Sequence, residues 1–344
     1  MELSENSPNT FITKDTFLKY LKAGGIYTVL LLLLALIIYK EPSFVSLRNL
    51  SNILTQSSVK LIMALGVGGI ILTAGCDLSV GKMVGMAGVV SASLLQASDT
   101  VGKVFPNLGE IPVLPVLIAM IFLGAFLGFL NGLIVAYLKV TPFVATLGSS
   151  FVFLGINSLY YDYLGAAPIS NFSDAYANMT QGVISLGHFN ISYLLIYAAI
   201  ASVIMWIIWN KTTLGKNIYA VGGNPEAAKV SGVNVAKTLV IVYVIAGAFY
   251  GFAGFLEAGR VGSATSSMGT QFELDAIAAC VVGGVSLFGG IGRITGVILG
   301  VLIFSIVAYG LTYIGVSPNW QLIFKGGIII FAVAVDSLTN AKKS

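Results

Sequence analysis

Long apolar runs, separated by shorter polar segments, make up most of the chain. Each run approaches the roughly 20 apolar residues that a helix needs to cross the hydrocarbon core of a membrane. Because lipid offers no partners for backbone N–H and C=O groups, we expect each run to be helical. The predicted runs cover residues 23–39, 61–76, 83–98, 111–138, 140–161, 191–209, 238–256, 276–292, 294–314 and 320–335.

This pattern predicts an all-α polytopic membrane protein with about ten transmembrane helices. The runs do not alternate between apolar and polar residues, as the strands of a membrane β-barrel do. Several runs are short and rich in glycine, so we expect broken or re-entrant spans among them. The predicted organisation is one transmembrane domain over residues 23–338, between polar tails at 1–22 and 339–344.

The distribution of Lys and Arg predicts how the chain is oriented. Loops that stay in the cytoplasm are enriched in these residues. The loop at 162–190 contains Asp162 and Asp174 but neither Lys nor Arg, so we place it on the periplasmic side. Both termini and the segment 210–237 are predicted to be cytoplasmic, because they carry Lys14, Lys19, Lys22, Lys211, Lys216, Lys229, Lys237, Lys342 and Lys343.

The connection after the first run does not follow this rule. It contains Lys40, Arg48 and Lys60, although the count of runs places it outside. Apolar residues recur in it at helical spacing, which predicts an amphipathic helix over residues 44–54 that lies at the membrane surface.

Composition and charge exclude several classes of protein. Only 9% of the 344 residues are charged and 57% are hydrophobic, whereas soluble domains are about 25% charged. A net charge of +4 spread over so few charges fits a bias between the two membrane sides and gives no sign of nucleic-acid binding. The two cysteines and the single histidine form no metal-binding pattern. We therefore expect no cofactor, no metal and no catalytic residue, and the sequence contains no phosphate-binding loop that would hold ATP.

Glycine is unusually frequent, with 40 residues in the chain. Many glycines recur at intervals of four, a spacing that lets two helix backbones approach closely. The simpler interpretation is tight packing of a static bundle, and the functional one is that these helices line or rearrange a pathway. The spaced glycines are Gly124, Gly128 and Gly132, then Gly247 and Gly251, and then Gly292, Gly296 and Gly300.

The polar segment 210–237, which we call the coupling segment, predicts a short helix with both ends marked. Asn224 is a favourable N-cap and Pro225 suits the first helical position. Glu226 complements the positive end of the helix dipole, and Gly232 can adopt the left-handed conformation that ends a helix. A helix of two turns is not stable alone, so it must dock, either on its own bundle or on a cytoplasmic partner.

This short helix resembles a known motif. Glu226-Ala227-Ala228, followed after three residues by Gly232, is similar to the loop through which permease subunits of bacterial ABC importers contact their ATPase. The Leu-Pro that follows in the wider motif is absent here. That difference favours the sugar-permease branch with a degenerate loop over the maltose-type branch.

Two further motifs resemble the ribose-type sugar permeases of this class, namely GCDLSVG at residues 75–81 and ELDAIAACVVGG at residues 273–284. Within that family the chain is most similar to the galactose/methyl-galactoside permeases. Four stretches support this assignment: NLSNILTQSSVK at 49–60, GINSLYYDYLGAAPIS at 155–170, FLEAGRVGSAT at 255–265 and YGLTYIGVSPNWQ at 309–321.

The resemblance implies a permease subunit in the bacterial inner membrane. Two copies would form the core, a separate cytoplasmic ATPase would drive it, and a periplasmic binding protein would deliver the sugar. The lipid bilayer is the other expected partner, and nucleic acid is not. The residues expected to couple to the ATPase are Gly222, Gly223, Asn224, Pro225, Glu226, Ala227, Ala228 and Gly232. The candidates for the transport path or gate are Asp77, Ser79, Gly81, Glu257, Arg260, Asp275, Gly283 and Gly284.

Other interpretations remain open from the sequence. Ribose or another aldose would suit the same chemistry, because no residue identifies a galactose hydroxyl. A secondary transporter would need acidic residues at mid-membrane, and a membrane scaffold without transport would also tolerate the glycines. Most charges near the runs could simply reach the interface. Lys325 could do so past Trp320, and Glu257 and Arg260 could pair on one helix face.

Overall fold

The computed structural model describes residues 28, 30–187 and 189–340. The predicted tail at 1–22, His188 and the C-terminal Lys342 and Lys343 lie outside these residues. Helices dominate the described chain. They are α1 (Leu30–Lys40), α2 (Leu47–Leu72), α3 (Val80–Leu94), α4 (Val113–Ala136), α5 (Pro142–Tyr163), α6 (Asp174–Gln181), α7 (Tyr193–Lys211), α8 (Thr213–Gly223), α9 (Pro225–Val230), α10 (Val235–Val261), α11 (Phe272–Val282), α12 (Ile294–Tyr313) and α13 (Pro318–Asn340).

Several of these helices are long and apolar enough to cross a membrane, which confirms a helical polytopic architecture. Within the described residues, seven meet that standard by length and composition: α2, α4, α5, α7, α10, α12 and α13. The described part of α1 and the 15-residue α3 are shorter apolar helices. Among the residues that the structure describes, there are therefore fewer full-length spans than the ten apolar runs of the sequence.

Helix α2 differs from the prediction at its N-terminal end. The sequence predicts a separate amphipathic helix over residues 44–54, but α2 runs without a break from Leu47 to Leu72. The side chain of Ser46 caps it by accepting a hydrogen bond from the backbone N–H of Asn49. The polar positions are thus part of a helix long enough to span the membrane. They lower the local hydropathy, so the pattern of apolar runs does not predict this part of α2.

The run predicted at 276–292 is broken, as its glycines indicate. Helix α11 has 11 residues and ends at Val282. A loop over residues 283–293, which we call the glycine loop, then leads to α12. Gly284, Gly289 and Gly290 in this loop have φ values of 70° to 81°, a backbone conformation that favours glycine.

Helix α10 lies at the centre of the bundle and packs against α2, α3 and α4. Its contact with α4 depends on the spaced glycines. A Cβ atom on Gly124 would overlap the carbonyl oxygen of Gly247, and one on Gly251 would overlap the carbonyl oxygen of Met120. These glycines therefore serve close packing of neighbouring backbones, which is the simpler of the two interpretations.

Short strands and one helix cover the end of the bundle that we predict to be periplasmic. Strand β1 (Ile169–Ser170) pairs with β4 (Ser263–Ala264), and β2 (Val183–Leu186) pairs with β3 (Phe189–Ser192), both antiparallel. Helix α6 docks on the last turns of α10. Tyr176 donates a hydrogen bond to the carbonyl of Phe255, and Gln181 donates one to the carbonyl of Gly259. These bonds fix the loop on the helix beneath it.

Candidate coupling segment and buried polar sites

The short helix of the coupling segment forms where the sequence predicts it. The Oδ1 atom of Asn224 accepts a hydrogen bond of 2.9 Å from the backbone N–H of Ala227, which caps α9. Gly232 has a φ of 87° and follows the end of the helix. Glu226 and Ala227 are exposed, whereas Ala228 is buried. The helix thus docks by one face and presents a second face to the surroundings.

Helix α8 connects this surface to the membrane bundle. Thr212 caps α8, and Gly222 near its other end lies directly against the carbonyl oxygen of Leu72, the last residue of α2. The backbone N–H of Gly290 donates a 2.9 Å hydrogen bond to the same carbonyl. One carbonyl group therefore joins α2, α8 and the glycine loop.

A second contact holds α8 to the glycine loop. The Tyr219 hydroxyl donates a hydrogen bond of 2.9 Å to the carbonyl of Gly292. Burial raises the pKa of the Tyr219 phenol above its ordinary value. Asp336 of α13 accepts hydrogen bonds from Ser286 and from the backbone N–H of Leu287. A displacement of α8 would thus be transmitted to α2 and the glycine loop, and through the glycine loop to α13.

Alanine at Gly222 is expected to push α8 away from α2, because its Cβ atom would overlap the Leu72 carbonyl. We predict a lower thermal unfolding midpoint for Gly222→Ala. Gly223→Ala is the matched control, since a Cβ atom there meets no atom within 4 Å. Differential scanning fluorimetry of both purified variants checks this prediction. Equal midpoints would show that the close contact at Gly222 is dispensable.

A cavity of about 830 Å³ opens beside the coupling segment. Its wall includes residues of α9 and α10 together with the ends of the breaks between α2 and α3 and between α4 and α5. Gly75 lines this cavity, and the polar side chains in its lining belong to Thr73, Lys139, Thr141, Glu226, Lys229, Asn234 and Tyr243. The cavity therefore reaches from the proposed partner surface to the motif at residues 75–81.

The motif at 75–81 forms a buried polar cluster at the break between α2 and α3. The Oδ1 atom of Asp77 accepts hydrogen bonds from the backbone N–H of Ser79 at 2.8 Å and from its hydroxyl at 2.6 Å. Asn131 of α4 donates to the Ser79 hydroxyl at 2.9 Å. Gly81 packs against the backbone of Gly269, where no side chain would fit. The cluster fixes three segments around the break.

Glu257 and Arg260 pair as their spacing predicts. Arg260 holds the Glu257 carboxylate with two hydrogen bonds of 2.8 and 2.7 Å near the end of α10. The Glu257 side chain is mostly buried beneath α6. This arrangement stabilises the covered end of the helix, because both charges are neutralised there.

Asp275 joins three helices through two lysines. Its carboxylate lies 3.4 Å from the ammonium of Lys60 on α2 and 2.7 Å from that of Lys325 on α13. The expectation that Lys325 reaches outward past Trp320 is therefore wrong, because the nearby carboxylate offers a partner within the bundle. We call Lys60, Asp275 and Lys325 the lysine–aspartate cluster.

The predicted path residues thus occupy separate places. Asp77, Ser79 and Gly81 share one cluster, whereas Glu257 and Arg260 lie at the end of α10. Gly283, the first residue of the glycine loop, packs against the backbone of Gly296, and Gly284 follows it with a φ of 80°. Sequence reasoning missed Asn131, Tyr219 and the partnership of Lys60 with Asp275. Only Asn131 left a local signal, as a single amide inside an apolar run.

Several permease proteins are similar in sequence to nearly the whole chain. A family model described as branched-chain amino acid transport system / permease component matches residues 49–333. The galactose/methyl galactoside import permease protein of Escherichia coli strain K12 is 58% identical over 332 residues, which are 96% of this chain and 99% of that protein. Its counterpart in Haemophilus influenzae is 57% identical over the same shares of both chains. The ribose import permease protein of Escherichia coli strain K12 is 38% identical over 90% of this chain and 91% of its own. No solved structure matches.

Proposed function

The chain belongs to the permease-component family of branched-chain amino acid transport systems, and on that premise we infer that it is the membrane-spanning permease subunit of an ATP-driven sugar importer. The observation that carries this function is the 58% identity to a galactose/methyl galactoside import permease over 96% of the chain. It is a permease subunit and not an enzyme, since ATP hydrolysis belongs to a separate chain. A secondary transporter or a passive scaffold has no such support.

The substrate we assign is galactose or methyl galactoside. The family description mentions branched-chain amino acids, but the most similar relatives described above import sugars. Identity to the ribose permease is lower by 20 percentage points, 38% against 58%. Ribose or another aldose is therefore the secondary candidate.

The coupling segment is the proposed contact with the ATPase. Its exposed residues Glu226 and Ala227 would face the partner, while the buried Ala228 anchors α9. The close contact of α8 with α2 depends on Gly222, and the two ends of α9 are set by Asn224, Pro225 and Gly232. A Cβ atom on Gly223 would meet no other atom within 4 Å. Force applied at α9 would reach α2 and the glycine loop through α8. A periplasmic binding protein would deliver the sugar at the opposite end of the bundle.

We keep about ten membrane crossings as part of the proposal. The seven long helices together with the shorter α1, α3 and α11 give ten. Helix α11 is roughly 16 Å long at 1.5 Å per residue, about half of the hydrocarbon thickness. The loop before it, which packs against Gly81 and Gly85, would complete that crossing.

The protein is a multi-pass protein of the inner membrane, and the finer arrangement is proposed. Both termini and the coupling segment would be cytoplasmic, and the loop at 162–190 would be periplasmic. Two copies would assemble as a homodimer. Asp77, Ser79, Gly81, Glu257, Arg260, Asp275, Gly283 and Gly284 remain proposed residues of the path or its gate.

Uptake by proteoliposomes tests the substrate assignment. The complex of this permease with its ATPase would be reconstituted with ATP inside and binding protein outside, and radiolabelled galactose and ribose would be compared. We expect galactose to accumulate and excess methyl galactoside to compete with it. Accumulation of ribose with no uptake of galactose would contradict the assignment.

A further inference from the structure

Beyond its first turn, helix α2 exposes polar side chains, whereas other spans expose apolar ones. The first turn of α2 exposes Leu47, Arg48 and Leu50, and from Ser51 to Leu72 the exposed residues are Asn52 and Gln56. Lys60 follows four residues later and is partly exposed, with 26% of its side chain accessible. Residues spaced by four lie on one face of a helix. We call Asn52, Gln56 and Lys60 the α2 polar stripe.

The outward faces of other spans are of a different kind. Helix α4 exposes Phe122 and Phe126, and α7 exposes Ile200 and Val203. Such faces suit contact with lipid. Amides and ammonium groups inside a membrane almost always face the protein interior or a water-filled cavity. The α2 polar stripe is therefore poorly suited to lipid.

The stripe ends deep in its helix at the lysine–aspartate cluster. Lys60 lies 13 residues after Leu47, in the middle of the 26-residue α2, so the cluster sits roughly 20 Å along the helix. Two lysines share one carboxylate there, which leaves an excess of one positive charge. Such a group requires water or polar partners close by.

The upper end of the stripe joins two stretches that the sequence singles out. Asn52 donates a hydrogen bond of 3.2 Å to the Tyr309 hydroxyl, and Tyr309 donates one of 3.1 Å to Asn49. The stretches 49–60 and 309–321 thus form one surface. Gln56 has no hydrogen-bond partner among the described residues, so its amide is free to bind a ligand or water.

We propose that the α2 polar stripe lines the sugar pathway, with Asn52 and Gln56 as sugar-contacting residues and the lysine–aspartate cluster at its inner end. An amide group both donates and accepts hydrogen bonds, which suits the hydroxyl groups of a hexose. A small number of hydrogen bonds to the sugar is appropriate in a transport pathway, because a substrate that must leave cannot be held tightly. The identity of the sugar rests on the proposed function, whereas the wetness of the stripe does not.

Cysteine labelling tests the stripe. Gln56→Cys and Phe122→Cys would be made with Cys76 and Cys280 replaced by alanine, in the complete reconstituted complex. Gln56 and Phe122 each lie nine residues after the first residue of their helix, at the ends that we place outside. A membrane-impermeant methanethiosulfonate with a sulfonate group is the probe. We expect Gln56→Cys to react at least about tenfold faster, because thiolates form in water and not in lipid. Equal, slow reaction of both in every nucleotide state would overturn the proposal.

A second measurement remains decisive if the cysteine variants do not fold. Gln56→Leu should lower the rate of galactose uptake about fivefold, since one hydrogen bond to the sugar is lost. Gln56→Asn should recover part of it, and Phe122→Leu should match the wild type. Unchanged uptake in Gln56→Leu would overturn the role of Gln56. Absence of galactose uptake by the wild-type complex would instead refute the proposed function, and the labelling comparison, which needs no sugar, would still decide whether the stripe faces water.

Discussion

The double variant Glu226→Lys, Ala227→Asp is expected to abolish stimulation of the ATPase by sugar-loaded binding protein. Both residues are exposed on α9, and the adjacent Ala228 anchors that helix. The substitutions reverse one charge and add another on the surface proposed to contact the ATPase. Mismatched charges at an interface cost several kcal/mol, and each 1.4 kcal/mol is about tenfold in affinity. We expect at least about a tenfold loss of stimulated hydrolysis, measured by phosphate release from the reconstituted complex.

The conservative variant Glu226→Asp, Ala227→Ser is the control at the same positions. It keeps the charge and the small side chain, so its hydrolysis should stay close to that of the wild type. The thermal midpoint of the permease should be unchanged in both variants, because neither side chain is buried. Normal stimulation in the charge-reversed variant would remove α9 from the coupling interface.

Asparagine in place of Asp275 should both destabilise the protein and slow transport. The substitution leaves Lys60 and Lys325 without their shared carboxylate at the junction of α2, α11 and α13. Removing one partner of a buried ion pair costs about 3–5 kcal/mol, and the partial exposure of both lysines reduces this to about 1–3 kcal/mol. We expect a lower thermal midpoint in detergent and at least about a tenfold loss of galactose uptake.

Removing one of the lysines tests the reason for this loss. In Asp275→Asn, Lys325→Met only one unpaired ammonium remains, so part of the lost stability should return. Asp162→Asn, at an exposed position, should leave the midpoint unchanged. If Asp275→Asn has the same midpoint as the wild type, the cluster does not hold the three helices together.

Features with local signals could be predicted from the sequence. The ends of α9 follow from Asn224, Pro225 and Gly232, because capping depends on neighbouring residues alone. The pair of Glu257 and Arg260 follows from a spacing of three on one helix. The break after α11 is visible as a concentration of glycines. The helical character of the spans follows from lipid as the solvent.

Features that depend on distant contacts could not be predicted. Asp275 meets Lys60 across 215 positions and Lys325 across 50 positions, and no local pattern marks either partner. The full length of α2 was hidden because its outer half carries Asn49, Asn52, Gln56 and Lys60. The hydropathy pattern predicts a surface segment for such a stretch, whereas in the structure it is part of α2 and packs in the bundle. The same polar positions are what make α2 a candidate for the pathway.

ATP hydrolysis by the reconstituted complex of this permease and its ATPase shows whether ATP drives sugar import. Phosphate release would be followed with and without galactose-loaded binding protein, alongside uptake of radiolabelled galactose into the same vesicles. We expect loaded binding protein to stimulate hydrolysis and uptake to stop when ATP is removed. Galactose accumulation that continues without ATP or the ATPase, driven by an ion gradient, would contradict it.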